Sequence, residues 1–333
     1  MSRKLITIST IMTLMSTSVI ADVPNVAADI APIHSLVSRV MDGVGAPKLI
    51  VQSGASPHGY RLRPSEAKAL QDADHVFWVG EELTPWLESA IDTLASKASV
   101  TTLLDQEGVI LHDFREGALF EAHDHSAHGD DDHDDHDDHD DHKDHDDHDD
   151  HDDHDDHKDH EEHGNHDPHA WLSPENAKLW LNIIASKLSV SDPENAATYF
   201  MNAAAGQAEI EAMIAEVKAT LKPVQGGKFV VFHDAYQYFE NDFDFYASGA
   251  ISLGDSSDPS PARIEKVQKR IRDEGIQCVL AEPQFKKGLV ATVMEGSDAT
   301  ASVIDPLGTE LEAGPKLYTQ LIKNMAKTLR NCL

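Results

Sequence analysis

Apolar positions along the chain fall into two alternating kinds of run. Short apolar clusters bounded by turn formers occur at residues 23–30, 48–52, 75–79 and 101–104, which predicts four strands. Between them, residues 33–41, 65–70 and 83–94 carry the spacing of a one-faced helix. The same rhythm returns after residue 222, with strand-like clusters at 228–232, 243–252, 276–281 and 301–304. The helical stretches between these include 262–274, which Ser260-Pro261 opens and Gly275 closes. Strand and helix alternating in this way predict an α/β fold of two lobes, each a mostly parallel four-stranded sheet flanked by helices. Residues 22–122 and 168–191 are expected in the first lobe and 223–333 in the second. Between them Asp192-Pro193-Glu194 reads as a helix start, and an Ala-rich stretch without proline runs on to Leu221. One helix there, about 43 Å long, is a rigid link that limits the lobes to a small closure.

Two segments stand outside this pattern. Residues 1–21 carry Arg3 and Lys4, a Ser/Thr-diluted apolar run, and Val19 and Ala21 before Asp22, which predicts an export leader cut after Ala21. The run is short for a membrane anchor, and no later run is long enough to span a bilayer. Residues 123–167 hold 15 His, 23 acidic residues and 2 Lys, built largely on an Asp-Asp-His repeat. A period of three suits neither helix nor strand, and with almost no apolar side chains nothing offsets the entropy of ordering, so this segment is expected to be disordered. It carries two thirds of the chain's formal charge of −32, which argues against nucleic acid or an anionic membrane as partner.

Export changes the reading of Cys278 and Cys332, which an oxidising compartment allows to pair; two buried thiols are the alternative. Two cysteines cannot build a four-thiolate metal site. Histidine carries the candidate chemistry. His58 follows one predicted strand, and His233 closes another and opens a helix. His169 stands just before a helix in Pro168-His169-Ala170-Trp171-Leu172-Ser173-Pro174, and Asp305 follows the last strand. Ligands of parallel sheets collect at the carboxyl ends of strands, so these positions suit a shared cleft. Three imidazoles with a carboxylate or water suit zinc better than the oxygen-seeking Mg2+, Ca2+ or Mn2+, though copper and nickel share the preference. Taken singly, each His also fits a capping or hydrogen-bonded role. His34 reads as structural or supporting, His75 as a core-edge residue and His112 as a loop residue near the insertion. Tyr236, Tyr238 and Phe239 read as helix packing.

Taken together, the motifs resemble a known family. Gly54-Ala55-Ser56-Pro57-His58, Arg63-Pro64-Ser65, Pro168 to Pro174, Phe232-His233-Asp234-Ala235-Tyr236, Glu282-Pro283-Gln284-Phe285 and Asp305-Pro306-Leu307-Gly308 occur in the order found in the metal-binding subunits of zinc and manganese ABC transporters. These are the cluster A-I, or family 9, solute-binding proteins, and the likeness is greatest to their ZnuA-like zinc-uptake branch. The resemblance implies two lobes joined by a long helix, with Zn2+ held in the interlobe cleft by His58, His169 and His233. The fourth position falls to Asp305 or to water. Manganese members place a carboxylate where His233 stands, which favours zinc here. The resemblance also implies a Cys278–Cys332 disulfide, a periplasmic location, an ABC permease in the inner membrane as partner and a monomeric, non-enzymatic protein.

The zinc branch also carries His-rich insertions before the second ligand. Here His123, His125, His128, His133, His136, His139, His142, His145, His148, His151, His154, His157, His160, His163 and His166 are candidate weak accessory sites beside the cleft. Zinc, copper, nickel and cobalt all suit such a segment. Two rival readings are a zinc buffer or chaperone that works without a transporter, and a three-His zinc hydrolase. The hydrolase reading lacks an HExxH, GxSxG or phosphate-loop pattern.

Overall fold

The computed structural model describes residues 23–115, 119–120, 166–252, 259–284 and 287–333. The expected leader, and the accessory histidines His123 to His163, lie outside the described residues.

The first lobe is built on β1 (Val26–Ala28), β2 (Lys48–Leu49), β3 (His75–Trp78) and β4 (Ser99–Thr102), all parallel and in the order β2-β1-β3-β4. Helices α1 (Ala31–Val40), α2 (Pro64–Gln71) and α3 (Pro85–Leu94) make the crossovers. Then α4 (Pro174–Ser191) and α5 (Ala196–Leu221) follow. The second lobe repeats the plan with β5 (Phe229–His233), β6 (Ala250–Ser252), β7 (Cys278–Ala281) and β8 (Thr300–Val303) in the order β6-β5-β7-β8. Helices α6 (Gln237–Phe243), α7 (Pro261–Glu274), α8 (Lys287–Met294) and α9 (Leu317–Cys332) accompany it. Two parallel four-stranded sheets joined by a long helix are the fold the hydrophobic pattern predicts. No helix among the described residues is long and apolar enough to cross a membrane.

Element boundaries differ from the pattern where local hydrogen bonds intervene. The 23–30 cluster yields only β1, because Asn25 bonds Asp74 before the ladder begins and Ile30 is already the N-cap of α1. The 243–252 cluster yields only β6: Asp244 ends α6 in the left-handed region, and Phe243, Phe245 and Ala247 bury their side chains without a paired strand. The linking helix starts at Ala196, not Asp192, whose carboxylate instead accepts bonds from Asn195 and the Tyr199 hydroxyl. Its 26 residues span about 39 Å.

One face of α5 is buried at Tyr199, Ala203, Gly206, Ile210, Met213, Val217 and Leu221, a three-and-four spacing that forms a seam. Against it lie α1 and α4 in the first lobe and α9 in the second. Gly206 marks the closest approach, since a Cβ there would stand 2.9 Å from a Leu181 methyl. A single hydrophobic cluster runs from Val26 through Trp171 and Trp180 to Tyr318 and Leu329, so both lobes share a core. Polar bonds add to it: Trp171 Nε1 donates to the Pro306 carbonyl at 2.9 Å, the Tyr318 hydroxyl to the Trp171 carbonyl at 2.9 Å, and Ser173 Oγ to Asp242 at 2.7 Å. Wide opening would expose this core, which limits lobe motion more strongly than the helix alone.

Cys278 and Cys332 form a disulfide across 54 residues, tying the start of β7 to the end of α9. Closing such a loop stabilises a fold by about 4 kcal/mol in the chain-entropy model. The bridge lies at the end of β7 opposite the loop that carries Glu282. Replacing both cysteines by Ala is therefore expected to lower the denaturation free energy by up to about 4 kcal/mol, with metal affinity nearly unchanged; urea unfolding and metal titration of the same sample check this.

Candidate metal centre

Three histidines from distant parts of the chain meet between the lobes. His58, His169 and His233 each offer a nitrogen, and these atoms all lie within 4.8 Å of one another. Their ring centroids are 5.5, 5.8 and 4.8 Å apart, and the rings are mutually tilted, so they approach one point from different sides. His169 and His233 are buried and His58 is half-buried, so the cluster is open to solvent on the His58 side.

Each histidine is placed by a different device. The ladder of β2 continues past Leu49, with Ile50 and Val51 donating to the Ala28 and Asp29 carbonyls, and delivers the chain into the His58 loop. Trp86 of α3 donates its indole N–H to the Pro57 carbonyl at 2.7 Å and so fixes the residue before His58. Downstream, Glu66 accepts from the Arg63 N–H at 2.7 Å and the Tyr60 hydroxyl at 2.8 Å, which turns the Arg63-Pro64-Ser65 motif into the cap of α2. His233 is the last residue of β5 and pairs with Ser252 of β6. His169 precedes a 3-10 turn at Ala170–Leu172, after which Ser173 caps α4.

Carboxylates stand beside two of the rings, and one of them is hydrogen-bonded to its ring. Asp167 Oδ1 lies 2.6 Å from His169 Nδ1 and also accepts the His169 backbone N–H at 3.0 Å. Glu282 Oε1 lies 3.4 Å from His233 Nδ1. At His169 the Nδ1–H held by Asp167 leaves Nε2 with its lone pair, which is the arrangement metal-binding imidazoles use. Burial pushes the Asp167 carboxyl up to about 6, against the lowering effect of the His169 N–H bond and the Arg115 charge. Burial, helped by Glu282 and Asp305, also holds the Tyr236 hydroxyl well above its ordinary range, so it stays neutral.

Asp305 is not a member of the three-histidine group. Its Oδ1 accepts N–H bonds from Leu307 and Gly308, and its Oδ2 accepts from the N–H and hydroxyl of Thr309. The carboxylate thus shapes its own turn, whose Leu307 and Thr309 line a small cavity with the 51–55 loop. The other histidines serve elsewhere. His34 Nε2 bonds the Pro47 carbonyl at 3.2 Å, and His75 Nε2 bonds Ser191 Oγ at 2.7 Å. The His112 ring packs at a tilt against Tyr238, with centroids 4.7 Å apart, and bonds Asn241. His166, the last accessory candidate, bonds Asp113 at 2.9 Å.

No role in the site could be read for Asp167, the last residue of the His-rich segment, nor for the hydroxyl of Tyr238, which donates to the Asp167 carbonyl at 2.7 Å. An acidic residue two before a candidate His, with proline between, was the available signal for Asp167. Replacing Asp167 by Asn is expected to weaken zinc binding about 10–100-fold, read by competition against a chelator, with metal-free thermal unfolding as the folding control.

The family model described as "Zinc-uptake complex component A periplasmic" matches residues 26–332. The chain is 50% identical over 308 residues to the "High-affinity zinc uptake system protein ZnuA" of Brucella abortus (strain 2308), covering 92% of this chain and 91% of that one. It is 47% identical over 314 residues to the protein of the same name from Paracoccus denitrificans (strain Pd 1222), covering 94% and 93%. Among solved structures, the fold is similar to a crystal structure of ZnuA, with a TM-score of 0.71 at 19% identity, covering 93% of this chain and 99% of that one. A ZnuA deletion mutant with zinc bound gives 0.70 at 19% identity, covering 93% and 98%. By its matched length, its relatives and its fold, the chain belongs to the ZnuA family of periplasmic zinc-uptake components.

Proposed function

We propose that this protein captures Zn2+ in the periplasm with His58, His169 and His233 and delivers it to an ABC permease in the inner membrane. The convergence of three imidazoles within 4.8 Å, in a crevice between two lobes, carries this reading. Nitrogen donors in that number suit zinc and leave one position of a tetrahedron open. Asp305 fills that place only if an oxygen leaves its turn; otherwise water does. The His-rich segment, which rejoins the described chain three residues before His169, supplies weak accessory sites that raise the local zinc concentration. Release to the permease requires a state that binds zinc less well, because equal affinity in two states shifts nothing.

Calorimetric zinc titration of the mature protein beside a variant lacking residues 123–166 tests the division of labour. One tight site is expected to survive the deletion and several weaker ones to vanish; loss of the tight site would move the chemistry into the insertion. Alanine at His58, His169 or His233 is expected to cost more than the roughly 10–100-fold worth of an orienting partner. Asp305→Asn separates the two fourth-ligand readings: unchanged affinity assigns water, a loss assigns the carboxylate.

Zinc binds neutral imidazole, and Asp167 orients His169 only as a carboxylate, with its pKa raised to about 6. Both effects act in one direction: affinity is retained above about pH 7 and falls as pH drops through the imidazole range near 6.5. Competition titrations at pH 7.5 and 5.5 should show a loss above tenfold per unit; a flat profile would contradict imidazole ligation. A transporter-independent buffer remains the rival, and deleting the permease decides: uptake loses the protein's growth benefit in scarce zinc, buffering keeps it.

A further inference from the structure

The chain entering the His-rich segment crosses from the first lobe to the second beside the metal cluster. Asn176 of α4 holds Ile110 by two bonds, accepting its N–H at 2.8 Å and donating to its carbonyl at 3.0 Å. Two residues on, the His112 N–H donates to the Tyr238 hydroxyl of α6 at 3.1 Å. Further along, Leu119 bridges to Gly249 and packs against the second lobe's own apolar cluster. The returning chain is fastened to the same strap: His166 bridges to Asp113, and the Asp167 N–H donates to the His112 carbonyl at 2.7 Å.

Arg115 is the charged centre of this strap. Its side chain is 14% exposed and lies over the Phe120 ring, 3.7 Å from the centroid. Nε faces both oxygens of Asp234, at 3.1 and 3.2 Å, and Nη2 also bonds Oδ1. Glu240 receives Nη1 at 2.6 Å and Nη2 at 3.3 Å. Asp234 is 6% exposed and Glu240 1%, and this guanidinium gives both acids a charged, hydrogen-bonded partner, with the Arg263 charge also acting on Asp234. Asp234 directly follows His233, in the turn between β5 and α6, where its N–H donates to Ser252 and the Ala235 N–H returns to the His233 carbonyl. Loss of the fork would remove the side-chain anchor of that turn, whose backbone carries His233.

We infer that Arg115 is a positioning residue for the metal site: by clamping Asp234 and Glu240 from the base of the insertion, it holds His233 in register with His169. The clamp joins the first lobe's chain to the ligand of the second, so its strength sets how readily His233 leaves the ion. A planar fork suits this task because it grips two carboxylates at fixed angles, which an ammonium cannot do. The inference rests on the three-histidine reading proposed above.

The test is the rate of zinc loss to excess chelator, followed by stopped flow on the full mature chain. Arg115→Lys keeps the charge but loses the fork. The pair Arg115→Met with Glu240→Gln removes one positive and one negative charge together, so that Asp234 alone, rather than both buried acids, loses the fork. Both are expected to release zinc at least roughly tenfold faster, with cooperative unfolding of the metal-free protein retained. In a His233→Ala background the paired change should add nothing, while in a His58→Ala background it should still accelerate release. Equal acceleration in both backgrounds, or release at the parent rate, would overturn the role of Arg115. If His58→Ala and His233→Ala themselves leave release unchanged, the site reading fails instead.

Discussion

Three neutral imidazoles can share one ion only if their backbones are held within a few ångströms from three directions, and in the proposed zinc site that demand falls on His58, His169 and His233. Side chains alone do not supply it, because a ring free to rotate about two bonds loses entropy whenever it binds. Here each backbone is braced separately: the His58 loop by Trp86 and the Glu66 cap, His233 by the end of a sheet ladder, and His169 by Asp167 and a short helical turn. Binding then draws on groups already near their bound positions, which leaves more of the metal–nitrogen interaction as affinity.

The same demand explains why the lobes are fused rather than hinged. Ligands on opposite lobes of a loose clam would have to find each other at each capture. A shared core from Val26 to Leu329, a seam along α5, and hydrogen bonds from Trp171 and Tyr318 keep the separation nearly constant. Of the three histidines, His58 is the half-buried one and His233 stands where β5 gives way to a turn. On the proposed reading, local motion of ligand-bearing turns fits this architecture better than wide lobe opening, and the inferred clamp on Asp234 bears on release.

Much of the fold was legible because parallel strands buried on both faces leave dense apolar clusters, and helix ends leave Ser-Pro and Gly marks such as Ser260-Pro261 and Gly275. Boundaries were less legible wherever a side chain took over a backbone bond. Asp192 looked like a helix start but caps Asn195 and Tyr199, and Phe243, Phe245 and Ala247 looked like a strand because burial alternates there without pairing. Of the site, His58 and His233 could be placed from their strand ends, while His169 rested on its motif. Asp167, Tyr238 and Arg115 were not readable as a unit, since Arg115 meets Asp234 and Glu240 across 119 and 125 residues. Asp305 shows the converse: strand-end position marked it as a candidate, and the structure shows its oxygens engaged in a turn.

X-ray absorption at the zinc edge, on protein lacking residues 123–166 and loaded with one equivalent of zinc, is the most direct test of the central claim. Three imidazole nitrogens at about 2.0–2.1 Å, with one lighter oxygen contribution, are predicted. A bound ion with fewer than three imidazoles, or a shell made mainly of carboxylate oxygen, would contradict the account.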